Sequence, residues 1–245
     1  MPACTFFEAQ GAELVVRGVQ AGTAATRAGS TEDKILRVAL ELFAERGFGA
    51  TSLRRIAGEA GVTPPLVAYH FDSKEGLFVA CAEAAMRALA SQVEGATATV
   101  TSLSDMVLKL AEVHVGFSKQ HAGEVRLLLS VAYGPNDGHP QVDLVSPWAA
   151  TMESVHARLA AAIDSRELVA RDGADAVQLT RHLFNLLHMA VFEGFERERF
   201  CHDENSDTRF CGRSETQAQD IHDQFFMGAG RLTVRPDSKS VEGTR

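Results

Sequence analysis

From Ser30 onward, apolar positions fall at helical spacing. Ile35, Val38, Ala39, Leu42 and Phe43 recur three and four residues apart and so share one face of a helix. Ser30 and Thr31 stand before it as cap candidates, and Glu32 and Asp33 place acids at the positive end of its dipole. Gly47 stops that run, Thr51 or Ser52 opens a second through Leu53, Ile56, Ala57 and Ala60, and Gly61 ends it. After the turn Gly61-Val62-Thr63, the Thr63 hydroxyl is placed to cap a third, short helix. Pro64 and Pro65 take that helix's first positions, where a backbone N–H would lack an intrahelical acceptor anyway. Ser73 then caps a longer fourth helix, whose stripe of Phe78, Ala82, Ala85, Met86, Leu89 and Val93 leads away from the first three.

Beyond Gly95 the period stays helical, with Met106, Leu110, Val113 and Phe117 on one segment and Trp148, Met152, Val155, Leu159 and Ile163 on another. No strand period stands out. Gly134, Pro135, Asn136, Asp137 and Gly138 make a strong break, and the polar stretch from Cys201 to Ser214 reads as a loop. Between Ala174 and Phe195, Val177, Leu179, Leu183, Phe184, Leu186, Leu187, Met189 and Val191 occupy more than one side of a helix. Such a helix needs cover from its own core and from a second body, and a partner subunit is the natural one. The last helix, with Ala218, Ile221, Phe225, Ala229 and Leu232, is expected to join it, so that segments 174–195 and 215–232 build a homodimer of four packed helices. The expected fold is all-α. Residues 1–29 form a flexible extension, 30–77 a helix-turn-helix head, 78–235 a larger helical ligand-binding and dimerisation domain, and 236–245 a flexible tail.

Charge first argues against nucleic acid, since the net charge is -8 and phosphate binding relies on positive charge. Its distribution changes the picture. From Arg27 to Leu77 seven basic residues balance seven acids, so nearly all the excess negative charge lies elsewhere. An acidic body carrying a neutral head with clustered arginines would meet DNA through the head alone. Arg126, Arg158, Arg181 and Glu193 interrupt the most apolar segments, Glu8, Glu13 and Arg17 break up the N-terminus, and Cys4, Cys81, Cys201 and Cys211 are scattered. A cytoplasmic protein with reduced thiols, no membrane partner and no cofactor is expected.

Three short helices with the second and third joined by Ala60-Gly61-Val62-Thr63 can present one helix to a major groove. Ala44-Glu45-Arg46-Gly47-Phe48, Thr51-Ser52-Leu53-Arg54-Arg55-Ile56-Ala57, and Tyr69-His70-Phe71-Asp72-Ser73-Lys74-Glu75-Gly76-Leu77 accompany that turn. In residues and spacing, this stretch from Ile35 to Leu77 resembles the TetR family of bacterial transcription regulators. The resemblance implies an all-helical homodimer that represses by binding a palindromic operator and lets go when a small inducer occupies the C-terminal domain. It further implies that Tyr69, His70 and Lys74 clamp phosphates, that Thr51, Ser52, Arg54 and Arg55 make the second-helix contacts, and that Thr63, Pro64, Pro65 and Leu66 face the bases. Ala68 departs from the pattern, standing where the family usually has a tyrosine on the DNA backbone, a contact left to Tyr69. Because Pro64, Pro65, Leu66 and Ala68 offer bases almost no hydrogen bonds, polar specificity is expected from Arg54 or Thr63, with DNA shape adding to it.

For the larger domain, Phe117, Tyr133, Trp148, Met152, His156, Phe184 and His188 are the candidate lining of a largely apolar inducer pocket, each also able to be plain core. His182 and His188 lie six residues apart and do not share a helical face, and Cys201, His202 and Cys211 lack a fourth ligand, so no metal site is expected. The chain has no Gly-rich phosphate loop, no His-Glu-x-x-His pair and no Gly-x-Ser-x-Gly elbow, which points away from an enzyme, although triads are assembled in space and leave no such trace. Two alternatives stand beside the ligand-gated repressor. One is a DNA-binding regulator controlled by a protein partner or by dimer concentration; the other is a helical enzyme domain fused to a DNA-binding head.

Overall fold

The computed structural model describes residues 30–134, 138–200 and 216–232, with the backbone alone for 194–200, 231 and 232. The proposed extension and tail and the whole polar stretch from Cys201 to Ser214, with the cysteines Cys201 and Cys211, lie outside the described residues.

Helices α1 (Thr31–Arg46), α2 (Leu53–Glu59), α3 (Pro64–Phe71) and α4 (Lys74–Thr97) begin where side-chain oxygens meet orphan amides. Ser30 and Asp33 form a reciprocal capping box, Ser52 accepts from the amide of Arg55, and Ser73 accepts from that of Gly76. Gly47 ends α1 at φ 77°, a left-handed backbone that suits glycine. Thr63 sits at the cap of α3, but its hydroxyl makes no capping bond. Helix α4 runs on through Gly95 to Thr97.

Helices α5 (Leu103–Gln120), α6 (Ala122–Tyr133), α7 (Ala149–Asp164), α8 (Ala176–Phe200) and α9 (Gln217–Ala229) follow, with a short 3-10 turn at Ser146–Trp148. Among the described residues the fold is all-α apart from one ribbon. β1 (Leu168–Ala170) pairs antiparallel with β2 (Gly230–Leu232), in the register Leu168 with Leu232 and Ala170 with Gly230. Leu232 therefore belongs to a strand and not to the last helix, because Gly230 at φ 145° turns the chain out of α9. Among the described residues, no helix is long and apolar enough to cross a membrane.

Two buried clusters share α4. The first joins Ile35, Leu42, Phe43, Ile56, Val67 and Phe71 of the first three helices to Leu77 and Phe78. Leu127 of α6 is fully buried within it. The second gathers Leu103, Leu110, Leu159, Leu183, Leu187 and Phe225 from α5, α7, α8 and α9. Segment 138–148 touches both, since His139 stacks on Phe78 at 5.5 Å and Val142 packs on the first cluster, while Trp148 is buried in the second.

Candidate nucleic-acid interface

The turn between α2 and α3 is tied by amide bonds from Val62 to Ala57 (2.9 Å) and from Gly61 to Gly58 (3.2 Å), with Gly61 at φ 63°. Val67 and Phe71 anchor α3 in the core, which leaves Pro64, Pro65, Tyr69 and His70 on the opposite face. Tyr69 is 83% exposed, an unusual setting for a large aromatic ring, and its ring lies edge-on to that of His70 at 5.4 Å. Thr63 is exposed with its hydroxyl uncommitted to the helix end, while Leu66 is half-buried. On α2, Ser52, Arg54 and Arg55 are exposed, and Arg55 Nε donates to Glu59 Oε1 at 2.9 Å.

Two residues expected to meet DNA point elsewhere. Thr51 is 2% exposed, and its hydroxyl donates toward the carbonyls of Gly47 (2.9 Å) and Leu42 (3.3 Å). A hydroxyl so enclosed has no path to a phosphate; it closes the α1–α2 corner. Lys74 is half-buried, with Nζ donating to the carbonyl of Phe48 at 2.7 Å and lying 4.0 Å from the centre of the Phe48 ring. Its charge is engaged in fastening that corner to the start of α4. Helix spacing places a side chain on a face but does not choose between a carbonyl inside and a phosphate outside.

Residues 35–81 match the model of the family described as bacterial regulatory proteins, tetR family. Over this segment the chain carries a TetR-family helix-turn-helix domain. A probable HTH-type regulator of Bacillus subtilis, YttP, is 33% identical over 92 residues, 38% of this chain and 44% of that protein. This chain spans less than half the length of the curated relatives it matches. The crystal structure of the regulator FadR from Bacillus subtilis in complex with stearoyl-CoA superposes with a TM-score of 0.62 at 14% identity, covering 80% of this chain and 98% of that one. That of a regulator from Saccharomonospora viridis in complex with choline superposes with a TM-score of 0.62 at 18% identity, covering 82% and 97%. These likenesses extend the TetR-like fold across the larger domain.

Within that domain the seven candidate lining residues separate. Trp148 and Phe184 are buried with their rings at right angles 6.0 Å apart. Met152 packs at the edge of the same core, and His156 is half-buried with Nδ1 3.4 Å from the Thr180 hydroxyl. Phe117 instead stacks on His121 at 4.4 Å near the end of α5, and Tyr133 is exposed at the end of α6. The residue that sequence reasoning missed is His114. It is 2% exposed, lies edge-on to Trp148 at 5.7 Å, and its Nδ1 is 2.7 Å from the Leu110 carbonyl, so that nitrogen carries the proton. Burial pushes the His114 imidazole down to about 4, partly offset by the Leu110 carbonyl and reinforced by nearby His188. His188 reaches solvent yet is also held below the ordinary histidine value by desolvation. Trp148, Phe184 and His114 thus form a buried aromatic group, with His188 near His114.

Proposed function

We propose that the chain is a dimeric DNA-binding transcription regulator, a repressor released from a palindromic operator by a small, largely apolar inducer. The observation that carries this is the exposed face of α3 in the TetR-family head, with Thr63, Pro64, Pro65, Tyr69 and His70 unoccupied by core packing and Arg54 beside them. The head at 30–77 reads the operator, and residues 78–235 take the inducer and the second subunit. Val177, Met189 and Phe192 of α8 and Met227 of α9 are exposed apolar side chains that a second copy would cover. A cytoplasmic setting follows from this function, and DNA binding and release need no catalytic step.

Gating has a physical route. The aromatic group around Trp148 is the proposed inducer site, and segment 138–148 connects Trp148 to His139 and Val142 on the head core. An inducer that separates Trp148 from Phe184 would move that segment and α4, and so shift the spacing of the two α3 helices from about 34–36 Å, the distance between successive major grooves. Equal affinity for both spacings would release nothing, so the inducer must favour the wider state. The stearoyl-CoA and choline complexes of the two similar structures support a small ligand in this domain, without identifying the one that fits here.

Two substitutions test the head. Arg54→Ala is expected to weaken binding to an operator selected from random duplexes by about 1–3 kcal/mol and to relax sequence preference. Full discrimination in Arg54→Ala would remove Arg54 from base readout. Lys74→Met is expected to lower operator affinity and the melting temperature together, while the slope of log K against log salt stays at the wild-type value. A slope reduced by about one in Lys74→Met would instead mean that the Lys74 ammonium neutralises a phosphate.

A further inference from the structure

Beyond DNA binding, we infer that Ser104, His222 and Asp223 form a nucleophile, base and orienting acid able to hydrolyse small uncharged esters. Ser104 stands in the first turn of α5, and its Oγ lies 2.8 Å from His222 Nε2 on α9. His222 Nδ1 in turn lies 2.9 Å from Asp223 Oδ1. The order hydroxyl, imidazole, carboxylate, with each contact at hydrogen-bond length, is what serine nucleophiles on unrelated folds share. Chain order is no guide to it, and the sequence carries no motif for it.

Neighbouring groups support those roles. The Asp223 carboxylate also accepts from Gln219 Nε2 at 2.8 Å, and its bonds to His222 and Gln219 hold it below the usual carboxylate range. His222 Nδ1 lies 3.2 Å from Gln219 Nε2 and 2.9 Å from Asp223 Oδ1; since Gln219 already donates to that carboxylate, the shorter, charged contact to ionised Asp223 keeps the proton on Nδ1 and leaves Nε2 as the acceptor for the Ser104 hydroxyl. The imidazole rests against the Phe226 ring at 4.8 Å and is half-buried, and Ser104 is half-exposed. The turn that carries Ser104 is held by Glu167, which accepts from the amide of Leu103 and is paired with Arg158 at 2.7 Å. In that turn the amide of Asp105 is bonded to Ser102 Oγ and that of Met106 to the Ser102 carbonyl. The amide of Ser104 has no partner among the described residues and sits beside its own Oγ, placed to donate to an oxyanion.

The reaction runs in two halves. Ser104 Oγ attacks the ester carbonyl carbon as its proton passes to His222 Nε2, and the oxyanion accepts from the Ser104 amide. The bond to the alcohol breaks as His222 returns the proton to the leaving oxygen, which leaves an acyl group on Ser104. Water, giving a proton to His222, then attacks that acyl carbon; the acid departs and Ser104 Oγ is reprotonated. The net change is ester plus water to acid plus alcohol. Asp105, Asp220 and Asp223 on these helices disfavour anionic substrates, and the open setting beside one ring suits a short acyl group.

Full-length protein is mixed with p-nitrophenyl acetate, and separately with a fluorophosphonate followed by peptide mass mapping. The expected results are a single phosphonyl adduct on Ser104 and p-nitrophenol release at least about 100-fold slower in Ser104→Ala and His222→Gln, the low end of what a positioned base supplies. Asp223→Asn should slow release while Ser104 still takes the label. Adducts spread over lysines, or equal release by wild type and Ser104→Ala, would overturn the proposal and reduce the three residues to a tie between α5 and α9. Circular dichroism accompanies each variant, and if one unfolds, the adduct site on the wild-type chain decides alone.

Discussion

Replacing Phe78 with alanine is expected to remove about 3–5 kcal/mol of stability, the cost of deleting a buried phenyl ring that its surroundings cannot refill. Phe78 meets Phe43 and Phe48 edge-on at 5.1 Å each and stacks on His139 at 5.5 Å, and it is almost fully buried. Each edge-on pair adds roughly 0.5–1.5 kcal/mol beyond burial, which places the loss toward the upper end. Single domains are stable by about 5–15 kcal/mol, so the head would lose much of its margin. Urea denaturation followed by circular dichroism should show a lower midpoint with little change of slope. The same ring anchors segment 138–148, so surviving Phe78→Ala protein should respond weakly at the head to changes around Trp148. A loss below about 1 kcal/mol would mean that the head core closes without Phe78.

Acid should weaken the larger domain through His114. The imidazole is buried and neutral, with burial holding it down to about 4, whereas in the unfolded chain it titrates near the ordinary 6.5. Between those values the unfolded state takes up a proton that the folded state refuses, so stability falls as pH drops from about 6.5 to about 4 and levels off below. A separation of this size corresponds to roughly 3 kcal/mol. His188 shifts in the same direction but reaches solvent, and adds less. His114→Gln keeps a donor for the Leu110 carbonyl without the titration, and its stability should fall less steeply across this window. Identical pH profiles for the two proteins would show that His114 is protonated without cost in the fold.

What the sequence disclosed was local. Ser30, Ser52 and Ser73 mark helix starts because a cap acts within three residues of itself, and Gly47 and Gly61 mark ends because their backbones are left-handed. The ribbon went unseen because Leu168 and Leu232 pair across more than sixty residues, and three-residue strands carry no period. Thr51 and Lys74 bond to backbone carbonyls within the head, which spacing did not disclose, since it does not tell whether a polar group bonds inward. His114 stands four residues after Leu110 on the buried stripe of α5, a signal that was available. Tyr133 ends in solvent while Trp148 and Phe184 meet, a distinction made by packing between helices remote in sequence.

The central claim, that this chain reads a palindrome as a dimer through α3, is tested most directly by selecting duplexes from a random library with the full-length protein and sequencing the enriched pool. The account predicts an inverted repeat with half-site centres about 10 base pairs or a multiple of that spacing apart, lost on Arg54→Ala and Tyr69→Ala. No enriched motif from a folded protein, or a motif unchanged in both variants, would contradict it.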